Sequence, residues 1–506
     1  MRNGGDTADI KTRAEAADIG VSEKKGKIEL EVLPNRAPGD HPGKRLKDDY
    51  GWPNMTWGLT SIGATFASPV ADAERVYLST AFKTVAAVDH AGKVVCSHAG
   101  LTELFAACVR TFQHNLVGML RDCPQRDERL GWLGDARAVL PAVLHCTDST
   151  AILRRWCGLI ADTQDPARQL RCAPMAPAEP LRLTGFRCAT PPPLAELAQA
   201  DNVYTAAATL LPWQGYAASG DRRFLEAYFP GIVAHLLTWP QRADWPLVDA
   251  SQHGDHAAFP VGEDPPRTAK PLVSAALLLS EYRCALRMAR VLRWEADALA
   301  RHEAELSAAL RKEHAAAFLD PASSQGTLAL GLDLELVADP VAAAQALHRR
   351  LQRDGYLLGT GIILTRTLLR VLGRHGLLHD AWRMVTATGQ PGWLWMLREG
   401  PGTLHENTVA TWGFVSRNQP ALGVVAEWLL TDLLGLRPEE GDGSEPGRVW
   451  RFDPPDLPEL GWARGSVPTP YGPINVAWQR EDGGIVSSVD APAACRVHGA
   501  ISRSWR

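Results

Sequence analysis

The chain has no cysteine pair at CxxC spacing. Its nine cysteines (Cys96, Cys108, Cys123, Cys146, Cys157, Cys172, Cys188, Cys284 and Cys495) are scattered and odd in number. That excludes a zinc site readable from spacing and fits reduced structural thiols better than a disulfide frame. No window approaches the roughly eighteen apolar residues of a membrane span, and the first twenty residues hold no apolar core of signal-peptide length. The expectation is therefore a cytoplasmic protein with no membrane partner. The formal net charge is only −4, on 53 basic and 57 acidic side chains, so there is no basic footprint for nucleic acid. A Gly-x-Ser-x-Gly nucleophile elbow is absent. Gly359-Thr360-Gly361 follows no strand-like run and so is no phosphate or dinucleotide loop. His253-Gly254-Asp255-His256 has metal-ligand residue types, but no second cluster at ligand spacing accompanies it.

What the chain does have is the composition of a folded globular protein, 45% hydrophobic and 22% charged. At 506 residues it exceeds one ordinary core, so two or three domains are expected. Seventeen tryptophans are more than a chain this size usually carries, and Trp132, Trp213, Trp239, Trp245, Trp393, Trp395 and Trp412 sit beside polar clusters. Indole faces stack on the C–H faces of sugar rings while the N–H donates to a hydroxyl. Most of the seventeen nonetheless read as core.

The pattern divides the chain in three. Residues 1–99 read as a polar arm followed by strand-like runs at Lys27–Leu33 and Arg75–Thr80, with two strands in Thr84–Cys96 about a His-Ala-Gly turn. From Leu101 the period becomes helical. One amphipathic segment reaches Arg121, and candidates follow near 135–146, 149–163, 201–219, 221–240, 269–291, 293–317, 324–337, 340–353, 361–373, 377–388 and 418–434. About twelve helices on mostly short loops, without a 34- or 40-residue repeat, predict an (α/α)6 toroid over 100–437 rather than a solenoid. Residues 438–506 alternate extended runs with Pro and Gly turns, which predicts a small antiparallel β-domain.

Two stretches carry the chemistry. "DCPQRDERLGWLGD", Asp122–Asp135, gathers Asp122, Asp127, Asp135, Glu128, Arg126 and Arg129 in a loop that Pro124 and two glycines keep from regular helix. Trp132 lies four residues after Glu128. An apolar neighbour and crowded carboxylates raise an acid's pKa, while the arginines lower it and can anchor ligand oxygens. About 270 residues later, Glu406 stands in a Gly/Pro-rich loop between His405 and Asn407, after Trp393 and Trp395. Each stretch alone is also readable as an inert connector. Together they supply one carboxylic acid and one carboxylate, as glycoside hydrolysis requires.

"DCPQRDERLGWLGDA" resembles the signature loop of the α-L-rhamnosidases of glycoside hydrolase family 78. The resemblance continues in order through "GDRRFLEAYFPGI" at 220–232, "ADWPL" at 243–247, the run 356–406, and "TPYGPINVAWQRED" with "VDAPAACRVHGA" near the end. It covers about residues 100–506. It implies a six-hairpin glycosidase fold, Glu128 as general acid, Glu406 as the base that activates water with inversion, and no metal or organic cofactor. It also implies that Asp122, Arg126 and Asp135 hydrogen-bond the rhamnose, that Trp132 walls the pocket, and that Trp245, Tyr204 and Gln419 are further sugar contacts. The expected partner is a small rhamnosylated glycoside or oligosaccharide, with a homodimer left open.

The chain departs from the family in three places. Tyr204 and Ala206 stand where the family has Trp and Asp; the loop after Glu406 is short, with Gln419 at the family's His; and the large β-sandwich domains usual ahead of the barrel are not evident. Two alternatives therefore stay open: another (α/α)6 glycosidase with a different terminal sugar, and a catalytically weakened sugar-binding paralogue.

Overall fold

Helices whose apolar residues fall on one stripe lie outside others that are apolar all round, because only the latter can be enclosed on every side. The computed structural model describes residues 92–116, 119–124, 131–162, 201–259, 261, 267–406, 416–439 and 445–500, together with the backbone of five strands ahead of them. The chain forms two units, Met1–Ala87 and Val88–Arg506. In the first part β1 (Ile19–Lys24) and β2 (Lys27–Val32) form an antiparallel pair, and β3 (Val70–Ala71), β4 (Arg75–Ser79) and β5 (Val85–Asp89) form a small sheet in that order.

The second unit begins with β6 (Lys93–Cys96) and is then helical. α1 (Ala99–Asn115), α2 (Leu133–Cys146), α3 (Thr150–Asp162), α4 (Asn202–Thr205) and α5 (Ala207–Ser219) lead to the short α6 (Arg223–Glu226) and α7 (Phe229–Leu236). There follow α8 (Lys270–Leu292), α9 (Asp297–His314), α10 (Gln325–Asp333), α11 (Pro340–Arg353), α12 (Thr365–Arg374), α13 (Leu378–Thr386) and α14 (Trp393–Glu399). The last inner segment, Ala421–Leu433, combines a 3₁₀ turn, α15 (Val425–Trp428) and a π turn.

The inner ring runs α2, α5, α8, α10, α12 and Ala421–Leu433, which packs back on α2. Between α8 and α10, the Arg283 guanidinium donates to the Leu334 carbonyl (2.8 Å), and Thr268 and Ser324 share a hydroxyl hydrogen bond (2.7 Å). Outside lie α1, α3, α7, α9, α11 and α13. α9 buries only Leu299, Leu306, Ser307 and Leu310, whereas α2 buries most of its length. The six-hairpin expectation thus describes the molecule. Among the described residues no helix is long and apolar enough to cross a membrane.

Some boundaries differ from the periodicity. The first helix stops at Asn115 rather than Arg121, because the Asn115 side chain turns to the Thr111 carbonyl and to Asn418 while its own carbonyl takes the Arg121 N–H (2.9 Å). The segment 221–240 breaks into α6 and α7, with Pro230 in the first turn of α7 where its missing N–H costs nothing. α14 forms where the sequence reads as loop. The two strands in Thr84–Cys96 exist, but they do not pair: β5 joins β4, while β6 pairs with β9 (Trp462–Val467).

At the far end, β10 (Ile474–Glu481) and β11 (Gly484–Asp490) extend β9 into an antiparallel sheet of order β11-β10-β9-β6. A second sheet holds β7 (Leu436–Pro438), β8 (Val449–Phe452) and β12 (Arg496–Gly499), with β12 parallel to β8. The buried Trp478 donates its indole N–H to the Leu433 carbonyl (3.3 Å), fastening the first sheet to the last inner segment. Gly465 is required there, since a Cβ would lie 2.2 Å from the Lys93 carbonyl oxygen. Among the described residues the cysteines are unpaired, and all but Cys495 are buried.

The barrel axis is charged. Arg366 pairs with Glu427 through two contacts of 2.6 Å, and Glu281 accepts from the Thr209 hydroxyl (2.7 Å). Burial lifts the Glu281 carboxyl to about 8, against the pull of Thr209 and Arg137. The folded state therefore keeps a proton that the unfolded chain releases near 4.5, so stability falls as pH rises between those values. Glu281→Gln, a neutral isostere, escapes that fall. Thermal unfolding from about pH 5 to about pH 8 is expected to show the variant gaining on the parent, and parallel curves would contradict it.

Candidate active site

Because each hairpin returns the chain to the same end, the inner helices all start at one mouth, and polar side chains collect there. Asp135 lies in the first turn of α2, and Asp201 caps α4 by accepting the Val203 N–H (3.0 Å). Ser324 caps α10 through the Thr327 N–H (3.1 Å). Asp255 accepts the N–H groups of Gly361 (2.7 Å), Ile363 (3.2 Å) and Leu364 (3.0 Å) just ahead of α12. Burial nonetheless raises its carboxyl to about 6. Helix N-termini carry partial positive charge, so this end of the barrel favours carboxylates.

Among the described residues, Asp135 of the first expected cluster and Gln419 of the second meet at this mouth. The Gln419 side-chain amide donates to the buried Asp135, and its carbonyl oxygen accepts the Ala421 N–H (2.7 Å). The Gln419 N–H donates to the Leu404 carbonyl (2.9 Å), two residues before Glu406. Glu406 is clamped to Ser416: its N–H donates to the Ser416 carbonyl (2.8 Å), and its Oε2 accepts the Ser416 N–H (3.0 Å). Helix α1 braces this loop. Thr111 accepts the Leu404 N–H (3.0 Å), Asn115 donates to the Asn418 Oδ1 (3.2 Å), and Arg110 holds the Gly402 carbonyl (2.8 Å). His405 is fully buried with neither ring nitrogen hydrogen-bonded, and burial, aided by Arg417, brings it down to about 4. It therefore stands neutral beside Glu406.

Rings wall the other side. Trp132, half-buried just ahead of α2, meets Tyr204 edge-on with centroids 5.8 Å apart. Tyr204 lies against Gly134, where a Cβ would come within 2.7 Å of its ring. His253 completes the group, 4.8 Å from Tyr204 and 6.1 Å from Trp132. Asp122 is buried after the α1 turn. Glu128 and Arg126 lie outside the described residues.

Trp245 is placed elsewhere. Its indole N–H donates to Glu305 on α9 (3.1 Å), and its ring contacts are Tyr282 (6.0 Å) and His302 (5.6 Å). Sequence reasoning missed His253 as a member of the ring group, although the His-Gly-Asp-His stretch was visible. Among the described residues no group of three or more His, Cys, Asp or Glu could hold a metal ion.

Residues 89–433 match the bacterial alpha-L-rhamnosidase 6 hairpin glycosidase domain, and residues 442–500 match the bacterial alpha-L-rhamnosidase C-terminal domain. The chain belongs to this α-L-rhamnosidase family. An α-L-rhamnosidase of Streptomyces avermitilis is 26% identical over 393 residues, 75% of this chain and 35% of that protein. One from an Alteromonas species is 26% identical over 414 residues, 78% of this chain and 42% of its own. The chain thus spans well under half the length of these relatives. The crystal structure of the Streptomyces avermitilis α-L-rhamnosidase complexed with L-rhamnose superposes with a TM-score of 0.73 at 24% identity, covering 82% of this chain and 39% of that one. The α-L-rhamnosidase from Dictyoglumus thermophilum gives a TM-score of 0.72 at 23% identity, covering 83% and 47%. These likenesses establish the fold.

Tyr204 keeps a ring on Trp132, and Gln419 uses both ends of its amide on protein groups. Gln419→Leu would take a donor from buried Asp135 and is expected to cost about 1–3 kcal/mol of stability. Gln419→Glu, adding a like charge beside Asp135, is expected to cost more. Thermal unfolding of the two variants tests this order.

Proposed function

We propose that the chain is an inverting glycoside hydrolase that releases terminal α-L-rhamnose from small glycosides or oligosaccharides. The hydrogen bond from Gln419 to Asp135 carries the reading, because it brings the Glu406 segment to the mouth where the Asp122–Asp135 segment ends, 284 residues away in sequence. The Glu128 carboxyl gives its proton to the glycosidic oxygen as that bond breaks. The Glu406 carboxylate takes a proton from the water that attacks the anomeric carbon, so the products are β-L-rhamnose and the free alcohol. Inversion needs the two carboxyl groups roughly 6.5–9.5 Å apart to admit that water. Asp122, Arg126 and Asp135 hold the sugar hydroxyls, and Trp132 and Tyr204 cover its apolar face. Residues 100–437 are the catalytic domain in this reading, flanked by the arm 1–99 and the β-domain 438–506.

A panel of p-nitrophenyl glycosides tests the sugar. The α-L-rhamnoside is expected to be cleaved; cleavage of another glycoside with the rhamnoside untouched would remove the proposal. Ala206, where the family has Asp, favours a second reading: a weakened paralogue, which would bind L-rhamnose without turning over its glycosides.

A further inference from the structure

The ring wall of the mouth contains one member with polar atoms to spare. We propose that His253 is a sugar-binding residue of this site, its imidazole sharing a hydrogen bond with a hydroxyl of the monosaccharide held against Trp132 and Tyr204. This rests on the glycosidase reading above and extends it to a residue outside the two acidic clusters.

The position is built rather than incidental. Asp201 Oδ1 caps the helix that carries Tyr204, while its Oδ2 accepts the N–H groups of Gln252 (2.9 Å) and His253 (3.0 Å) and the Ser251 hydroxyl (3.3 Å). One carboxylate thereby locks the Tyr204 helix and the His253 loop in a single register. The His253 ring is half-buried between Tyr204, Trp132 and His256, yet neither ring nitrogen has a hydrogen-bond partner among the described residues. The ring is half-buried rather than enclosed, so its nitrogens stay within reach of a hydroxyl brought to this mouth. Burial and Lys270 lower the imidazole's pKa, with Asp201 opposing them. A neutral ring offers one donor and one acceptor, the complement of a hydroxyl. Trp245, meanwhile, is held on α9 by Glu305, so an imidazole rather than that indole lines this side.

Two variants separate hydrogen bonding from packing. His253→Phe keeps a ring and loses the nitrogens; His253→Gln loses the ring and keeps a donor and an acceptor. With p-nitrophenyl α-L-rhamnoside for kinetics and L-rhamnose for calorimetric binding, His253→Phe is expected to raise KM and Kd by about 10-fold with kcat within about twofold, since a contact made equally before and during reaction affects binding alone. His253→Gln is expected to stay within about threefold of the parent. Affinity in His253→Phe equal to or better than in His253→Gln overturns the proposal, because packing alone predicts that order. A parent chain that neither binds L-rhamnose nor cleaves its glycosides overturns the functional reading itself.

Discussion

Glu406→Gln is expected to lower kcat by about 10²–10⁴-fold on every α-L-rhamnoside, with L-rhamnose affinity largely kept. The amide has nearly the shape of the carboxylate and can still accept from the Ser416 N–H, so the loop should stay closed around it. What it cannot do is take the proton of an attacking water. The loss should be independent of the leaving group, because the base acts on water and not on the departing oxygen. Kinetics with two rhamnosides of different leaving group check this; a variant within tenfold of the parent would remove Glu406 from its role.

Glu128→Gln is expected to behave differently. A general acid matters in proportion to how badly the leaving oxygen needs a proton. For an alkyl or saccharide leaving group the variant should lose about 10²–10⁴-fold in kcat/KM, and for p-nitrophenol, which departs readily as its anion, far less. The ratio between the two substrates is the readout. Equal losses on both would deny Glu128 the proton transfer, and no loss on either would place it outside the site.

The periodicity of apolar residues made most of the toroid legible, because outer helices such as α9 and α11 must bury one stripe and expose the rest. It failed where a side chain competes with the backbone, as Asn115 does at the end of α1, and where glycines and prolines flank a short helix, as Gly392 and Pro401 do around α14. The separation of β5 from β6 was not legible either, since strand pairing with β9 is decided some 370 residues away. At the site, residue types and family resemblance pointed to Asp135 and Gln419, but that they bond to each other is tertiary. Trp245 shows the limit of a local motif: "ADWPL" fixes the residue and not the face, and Glu305 on another helix drew the indole to α9. The place of His253 was not legible either, since Asp201, some 50 residues earlier in the chain, is what fastens it beside Tyr204.

The direct test is the stereochemistry of the sugar at the moment it is released. Under this proposal, proton NMR of the parent chain with p-nitrophenyl α-L-rhamnoside, recorded before mutarotation, should show β-L-rhamnose as the first product. Appearance of α-L-rhamnose first would mean retention through a covalent intermediate and would contradict the pairing of an acid at Glu128 with a water-activating base at Glu406.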